Sequence, residues 1–225
     1  MKIELNAGAS YNENNYNVED YNYKNVSRSQ NVNTVIVKSI DDHWSTGGYA
    51  SAYSSIYSNI KFSYSLAPAI EYNLFKYSES TRKQLRFLYR FGYDFNYYND
   101  TTIFFKIKEG FISHSLSIAF ETKQIWGSVS TSVSWSNYLY DFNKNYLSVY
   151  SNVSLRIFGG LALNFTGGAN FIHNQLALPK YDATIEDILL SRRSLETQYS
   201  YCGNAGFSFT FGSIYNNVVN PRFGL

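Results

Sequence analysis

The chain has 225 residues, a net charge of +2, one cysteine, 16% charged residues and 19% aromatic residues. Ordinary soluble domains carry about 25% charged residues, so this composition is unusual for a surface in water. The small net charge, with its Lys and Arg scattered along the chain, argues against nucleic acid as a partner, and the single Cys202 excludes a disulfide framework and a thiolate metal cluster.

The length fits a single domain, residues 1–225. No stretch approaches 18 consecutive apolar residues, so the sequence predicts no transmembrane helix. The first ten residues, MKIELNAGAS, enter a strand pattern directly and lack the apolar region of an export signal. We therefore expect the chain to be a mature form or a fragment.

The first half of the chain predicts strands separated by polar connections. Most of these strands alternate apolar residues with small polar ones, as expected when successive side chains point to opposite faces. Pro68 lies inside the fourth strand, where it predicts local distortion because proline cannot donate a ladder hydrogen bond. The first four predicted strands are 2–12, 26–40, 45–57 and 60–74.

The clearest strand is Gln84 to Tyr97, whose two faces differ completely. Its length matters, because a tilted strand that crosses a bilayer needs about 9 to 11 residues whereas soluble strands usually have about 5 to 6. The even positions include Arg86, Arg90 and Asp94. The odd positions, which we expect to face lipid, include Leu85, Phe87, Tyr89, Phe91, Tyr93 and Phe95.

The second half of the chain continues the same alternation. In the sixth strand the apolar positions are odd from Ile103 to Ile107 and even from Ile112 onward, so we expect a β-bulge near Gly110. The remaining predicted strands are 127–139, 146–158, 161–171 and 199–211.

Short and long connections alternate along the chain, as they do in outer-membrane barrels. The short turns lie near His43, Arg82, Lys123 and Gly159 and are expected to face the periplasm. The long connections, expected outside the cell, include Asn12 to Asn25 and Asn174 to Gln198. Within the last of these, Ile185, Ile188, Leu189 and Leu195 recur at helical spacing after Asp182 or Thr184, which predicts a short capped helix.

Together these patterns predict an all-β fold: an antiparallel up-and-down transmembrane β-barrel of about ten strands, with the long 174–198 loop on its exterior. The alternation also fits a soluble barrel or sandwich with its apolar face inward. Against this alternative, the polar face holds mostly Ser, Gly, Ala, Asn and Thr, where a solvated exterior would display Lys and Glu. A Tyr-, Asn- and Ser-rich aggregating segment is disfavoured by the regular turns.

Charged residues on the predicted inner face form a candidate network. Counting across the turns places Glu71 beside Arg86 and Arg90, and Asp94 near Lys106. Such pairs stabilise neighbouring strands by roughly 0.2 to 1 kcal/mol. The network is either structural or an ion-selecting constriction, and ten strands leave little open space because barrels of about eight are filled by side chains.

The positions of the three histidines give little support for an acid–base or metal site. His43 lies in a predicted turn, His114 falls on the apolar face, and His173 ends the ninth strand at the predicted outer rim. His173 with Asp182 or Asp187 is the best enzymatic alternative, a rim hydrolase. No two histidines share a metal-ligand spacing, and no cofactor is indicated.

Several segments carry a family resemblance. The tail FGSIYNNVVNPRF at 211–223 resembles the C-terminal end of a family of poorly characterised Gram-negative outer-membrane barrel proteins. Further similar segments are SIDDHWSTGG at 39–48, SLAPAIEYN at 65–73, STRKQLRFLYR at 80–90 and ATIEDILLSRR at 183–193.

The resemblance implies an outer-membrane barrel and supplies no catalytic residue. Family members have further sequence, including additional strand, before the point where this chain begins, which implies a truncated start and a native barrel of up to twelve strands. A terminal aromatic residue is common in barrels delivered by the barrel-assembly machinery, and here Phe223 is followed by Gly224 and Leu225.

The sequence therefore predicts a non-enzymatic, porin-like outer-membrane protein of structural or narrow-channel type. Its expected partners are outer-membrane lipid and the barrel-assembly machinery. A surface interaction module acting through the 174–198 loop is a further alternative.

Overall fold

The computed structural model describes residues 1–18, 21–158, 160–181 and 183–210. Strands account for most of these residues, with one short 3₁₀ turn at Tyr77–Glu79 and one short helix, α1, at Ile185–Leu189. The strands are β1 Lys2–Val18, β2 Tyr21–Ser39, β3 Trp44–Ser55, β4 Ile60–Asn73, β5 Lys83–Tyr98, β6 Lys108–Gln124, β7 Gly127–Tyr138, β8 Asp141–Phe158, β9 Leu161–Ile172 and β10 Tyr199–Phe209.

The strands form one sheet in which each pairs antiparallel with the next, in the order β1 to β10. The predicted all-β, antiparallel, up-and-down fold of ten strands is therefore confirmed. Among the described residues no helix is long and apolar enough to cross a membrane.

The registers bring the polar positions of neighbouring strands onto one face. Asn33 pairs with Ser51, Ser51 with Ser65, and Ser65 with Asp94, so four consecutive strands place polar side chains side by side. We call this surface the polar face. Because side chains alternate along each strand, the opposite face collects the apolar positions.

This apolar face is exposed. Leu66 pairs with Tyr93 and Tyr93 with Ile112, and these three residues are 57%, 44% and 42% exposed. The buried apolar side chains of the described residues are instead Ile60, Tyr98, Phe111, Leu176 and Leu178. The apolar face therefore does not form the interior core that a soluble sandwich needs.

The predicted polar loop from Asn12 to Asn25 is wrong. β1 and β2 pair continuously from Lys2↔Val37 to Val18↔Tyr21, so this segment is the end of a long hairpin. Cross-strand contacts stabilise it, including an ion pair of 2.8 Å between Lys24 Nζ and Glu13 Oε1. Its asparagines concealed the strand because Asn is depleted in strands on average, a tendency that pairing overrides.

The predicted bulge near Gly110 is also wrong. Residues 99–107 form the connection between β5 and β6, and β6 begins only at Lys108. From there β6 pairs with β5 without a register shift. The switch of apolar residues from odd to even positions thus marks the boundary between this loop and β6.

Successive connections alternate between the two ends of the sheet, but the expected separation of short turns from long loops is only partial: the β4–β5 connection is 74–82 and the β7–β8 connection is 139–140. The β2–β3, β4–β5, β6–β7 and β8–β9 connections share one end, which we call the short-turn end. The β9–β10 connection lies at the other, the long-loop end, and contains α1. It is tied by backbone hydrogen bonds to the β3–β4 turn, through Ser194 and Tyr57, and to the β5–β6 connection, through Lys180 and Thr101.

One glycine at the short-turn end permits a close backbone approach. Gly127 has φ +148°, and a Cβ there would lie 2.0 Å from the carbonyl oxygen of Ser154 on β8. We predict that Gly127→Ala lowers the free energy of unfolding by more than about 1 kcal/mol. Gly203→Ala, whose Cβ would meet nothing within 4 Å, is the matched control and should change it by less than about 0.5 kcal/mol. Urea unfolding in detergent measures both, and equal midpoints would contradict the prediction.

Candidate functional site

A cavity of about 440 Å³ lies against the polar face. Side chains from six adjacent strands line this one cavity, so the sheet curves and its polar face is concave. The lining residues come from all six strands β2 to β7 and include Asn33, Ser51, Ser65, Arg90, Asp94 and Ser113.

Arg90 is the arginine that lines this cavity. Its Nε donates to Ser115 Oγ on β6 at 3.1 Å. On its other side the guanidinium carbon lies 5.1 Å from the ring centroid of Tyr49 on β3. The side chain therefore extends across β4, where Ala67 lines the same cavity and leaves room for it. The contact joins two strands that are not neighbours in the sheet.

Arg86 forms the ion pair that the sequence predicts with Glu71. Its Nη1 lies 3.8 Å from Glu71 Oε2, and its Nη2 lies 3.4 Å from Glu121 Oε1 on β6. Gln84 donates to the other oxygen of Glu121 at 2.8 Å. The three charged side chains are about one-third exposed, so their contribution to stability is modest, about 0.2 to 1 kcal/mol for each pair.

The structure does not join the other predicted members of the network. Arg90 bonds to Ser115 and not to Glu71, while Asp94 accepts a hydrogen bond from Ser113. Lys106 lies in the β5–β6 connection and pairs with Glu109 at 2.6 Å. The predicted Asp94–Lys106 pair depends on a strand at 103–107, and this segment is a loop.

Residues that the sequence analysis did not single out complete the site. Tyr49, Ser113 and Ser115 hold the two charged groups of the cavity, yet each is an ordinary strand residue in the sequence. The register between β5 and β6 would have identified these partners. Arg90 pairs directly with Ser115, and Asp94 lies two residues along β5 from Gly92, which pairs with Ser113.

The β9–β10 connection extends over the long-loop end of the polar face. Tyr138 at the end of β7 donates to the Asn174 carbonyl at 3.1 Å, and both residues line the cavity. Further along, Asn59 donates to the Ala177 carbonyl at 2.8 Å, and Asn25 on β2 donates to Leu190 at 2.7 Å. This connection thus contacts elements from β2 to β7 and narrows the cavity at this end.

The predicted helix and its cap are confirmed as α1, Ile185–Leu189. Thr184 is the N-cap residue, because its Oγ1 accepts from the Asp187 N–H at 3.1 Å while Asp187 Oδ2 accepts from the Thr184 N–H at 3.1 Å. This reciprocal pair is a capping box. The other proposed cap, Asp182, lies outside the described residues.

The structure does not pair His173 with Asp187 as the rim hydrolase requires, and its other proposed partner, Asp182, lies outside the described residues. Asp187 is engaged by Thr184 and lies 3.6 Å from the Arg193 guanidinium, so it is an ion-paired cap and not a free base. His173 is exposed, and its backbone N–H donates to Asn145. Within the described ranges no cluster of His, Cys, Asp and Glu is suited to a metal ion.

No protein-family model and no curated protein matches the chain. A solved structure described as "NanC porin structure in rhombohedral crystal form" is similar over 93% of this chain and 97% of its own, with 10% sequence identity and a TM-score of 0.46. No residue role is carried over from it.

The capping box predicts a pH dependence. Hydrogen bonds from Thr184, followed by the Arg193 charge, lower the pKa of Asp187 below its ordinary value of 3.8. A depressed carboxyl pKa stabilises the folded loop above the ordinary value, and this stabilisation is lost as the pH falls through the folded value. Hydrogen exchange of residues 184–193 should therefore accelerate, relative to the strands, as the pH is lowered below about 4.

Asp187→Asn is the matched control, because it retains an acceptor and removes the titrating group. Its exchange relative to the strands should not change over the same pH range. An identical acid response of the wild type and the variant would contradict the assignment.

Proposed function

We propose that this chain forms an outer-membrane β-barrel with a narrow polar interior and acts as a structural protein or a narrow, porin-like channel. One observation carries the proposal. The ten strands align small polar residues on a concave face and leave large aromatic and aliphatic residues exposed on the other face. In water this arrangement exposes apolar surface, whereas in a bilayer it matches the solvent on each side.

The strand lengths support a membrane-spanning role. The shortest described strand, β10, has 11 residues, and the longest, β2, has 19. A tilted strand needs about 9 to 11 residues to cross the hydrocarbon core. The odd residues of β5, from Leu85 to Phe95, are proposed to face lipid. Two hydroxyls on the apolar face, those of Thr131 and Ser151, bond to each other at 2.9 Å and so satisfy each other away from water.

A spanning sheet must also close, because unpaired backbone groups are not tolerated against lipid. β1 starts at the short-turn end and β10 runs towards that end, so the two edge strands have the antiparallel directions that closure requires. β1 is paired on one side only, with β2, and β10 is paired on one side only, with β9. β1 and β10 are therefore the strands available for closure. We propose that they come together in the membrane.

The interior suits a narrow channel. Arg90 and Tyr49 extend into the cavity, and the β9–β10 connection narrows one end. Oppositely charged Arg90 and Asp94 line the same space, so the proposed constriction carries both signs. Barrels of about eight strands are filled by their side chains and open channels appear at about 16, so ten strands favour small ions over larger solutes.

In this proposal the short-turn end faces the periplasm and the long-loop end faces the exterior. Outer-membrane lipid and the barrel-assembly machinery are then its partners.

A second candidate is a surface interaction module. The side chains of Ile185 and Leu189 in α1 are each 76% exposed, although they are the apolar side of a short amphipathic helix. Deletion of residues 174–198 would then abolish binding of a partner and leave the barrel folded.

Planar-bilayer recording tests the channel. We predict a small ion conductance whose selectivity depends on the two cavity charges. Arg90→Gln should shift the reversal potential under a salt gradient towards cation selectivity, and Asp94→Asn should shift it towards anion selectivity, because each change removes one charge from the same constriction. The opposed shifts make each variant the control for the other.

Folded protein that inserts but carries no current would leave only the structural role. Current that neither variant affects would place the conducting path elsewhere. Folded protein that fails to insert into any bilayer would contradict the membrane assignment itself.

A further inference from the structure

Large aromatic side chains are exposed at the long-loop end of the sheet. Phe105 in the β5–β6 connection is 72% exposed, and Tyr140 in the β7–β8 turn is 51% exposed. Contiguous exposed apolar groups of this kind usually mark an interaction site. We define the rim patch as Ile103, Phe104, Phe105, Tyr140, Lys144 and Lys180.

Phe105 adopts a backbone conformation that bulky residues rarely use, with φ +58°. Three hydrogen bonds within the connection hold it there. The Phe105 N–H donates to the Thr102 carbonyl at 2.8 Å, the Thr102 N–H donates to the Lys106 carbonyl at 2.9 Å, and the Lys106 N–H donates to Thr102 Oγ1 at 3.3 Å. Thr102 itself is fully buried. A strained residue that its surroundings hold this firmly, and that nevertheless points its ring into solvent, indicates a functional position.

The β9–β10 connection fixes a lysine beside this ring. Ile103 donates to the Leu178 carbonyl at 2.9 Å, and Lys180 donates through its N–H to the Thr101 carbonyl at 2.8 Å. These bonds hold the β5–β6 and β9–β10 connections together. Lys180 Nζ then lies 4.2 Å from the ring centroid of Phe105.

A second lysine lies on the neighbouring aromatic ring. Lys144 Nζ is 3.5 Å from the centroid of Phe104 and 5.8 Å from that of Tyr140. In the described part of the chain, no carboxylate lies within ion-pair distance of Lys144 or Lys180. Two adjacent phenylalanines therefore each carry an ammonium group that has no acidic partner among the described residues.

We propose that the rim patch binds an anionic lipid headgroup, with Lys144 and Lys180 on its phosphate and Phe104 and Phe105 at the boundary between headgroups and acyl chains. This inference rests on the proposed function and adds a lipid site to it. Aromatic girdles lie at this depth in barrels, and lysines extend to the interface beside them. The patch also adjoins the apolar face, because Tyr140 and the exposed Ile112 of β6 line the same surface pocket.

Thermal unfolding of purified, folded protein in zwitterionic detergent micelles tests the proposal. Phosphatidylglycerol should raise the Tm of the wild type more than an equal amount of phosphatidylcholine does. In the double variant Lys144→Gln/Lys180→Gln, this difference should fall by at least half. Lys83→Gln is the matched control, because Lys83 Nζ lies 4.4 Å over the Phe75 ring at the short-turn end; the difference should persist in this variant.

A second variant separates lipid binding from folding. Phe105→Gly is compatible with the positive φ, so it should retain the Tm measured without lipid and lose part of the phosphatidylglycerol effect. The proposal is overturned if the double variant keeps the full effect, if Lys83→Gln loses as much, or if inorganic phosphate alone reproduces it. These results leave the bilayer recordings unaffected, so the lipid site and the barrel proposal can fail independently.

Discussion

The fold depends on one constraint, the period-two alternation of side chains kept in register across ten antiparallel strands. A one-residue slip in any strand would move its polar residues to the apolar face and its aromatic residues to the polar one. The observed pairs keep the two classes separate, from Asn33↔Ser51 on one face to Tyr93↔Ile112 on the other. The proposed lipid surface, the cavity and the charge pairs all follow from this separation.

The polar face is stabilised mainly by neutral hydrogen bonds. The hydroxyls of Ser117 and Ser134 share a hydrogen bond of 2.9 Å. Asn170 accepts from the Tyr146 hydroxyl at 2.8 Å and donates to the Ser200 hydroxyl at 3.0 Å. Hydroxyls and amides of adjacent strands thus satisfy one another. Charges are few and partly exposed, and they include the cavity residues Arg90 and Asp94. The other residues of the polar face are mostly small and leave space around the side chains of Arg90 and Asp94. The cavity therefore forms beside these two residues.

The sequence was sufficient to predict the elements whose alternation is strong. It predicted the strands from β3 to β10 to within a few residues at most of their ends, and Thr184 was one of the two helix caps that it offered. It failed where composition and pairing disagree: the Asn-rich end of the first hairpin pairs like any strand, and apolar residues at 103–107 form a loop.

Partner choice within the site was harder to predict. Glu71 and Arg86 were paired correctly because the predicted bounds of their two strands lie within one residue of the observed ones. The partners of Arg90 and Asp94 depend on the β5–β6 register, which the misassigned loop had shifted by several residues. The contact between Arg90 and Tyr49 joins strands that are not neighbours and passes over Ala67 of the strand between them, so no pattern within one strand or one hairpin encodes it.

The central claim is that the apolar face contacts lipid and the polar face does not. Trp135 on β7 pairs with Leu116 on the apolar face and is a natural fluorescent reporter. In a variant with Trp44 and Trp126 replaced by Phe, reconstituted into bilayers, brominated acyl chains should quench Trp135 strongly. A tryptophan placed on the polar face by Tyr150→Trp, with Trp135 also replaced by Phe, should be quenched weakly. Equal quenching at the two positions, or stronger quenching at position 150, would contradict the account.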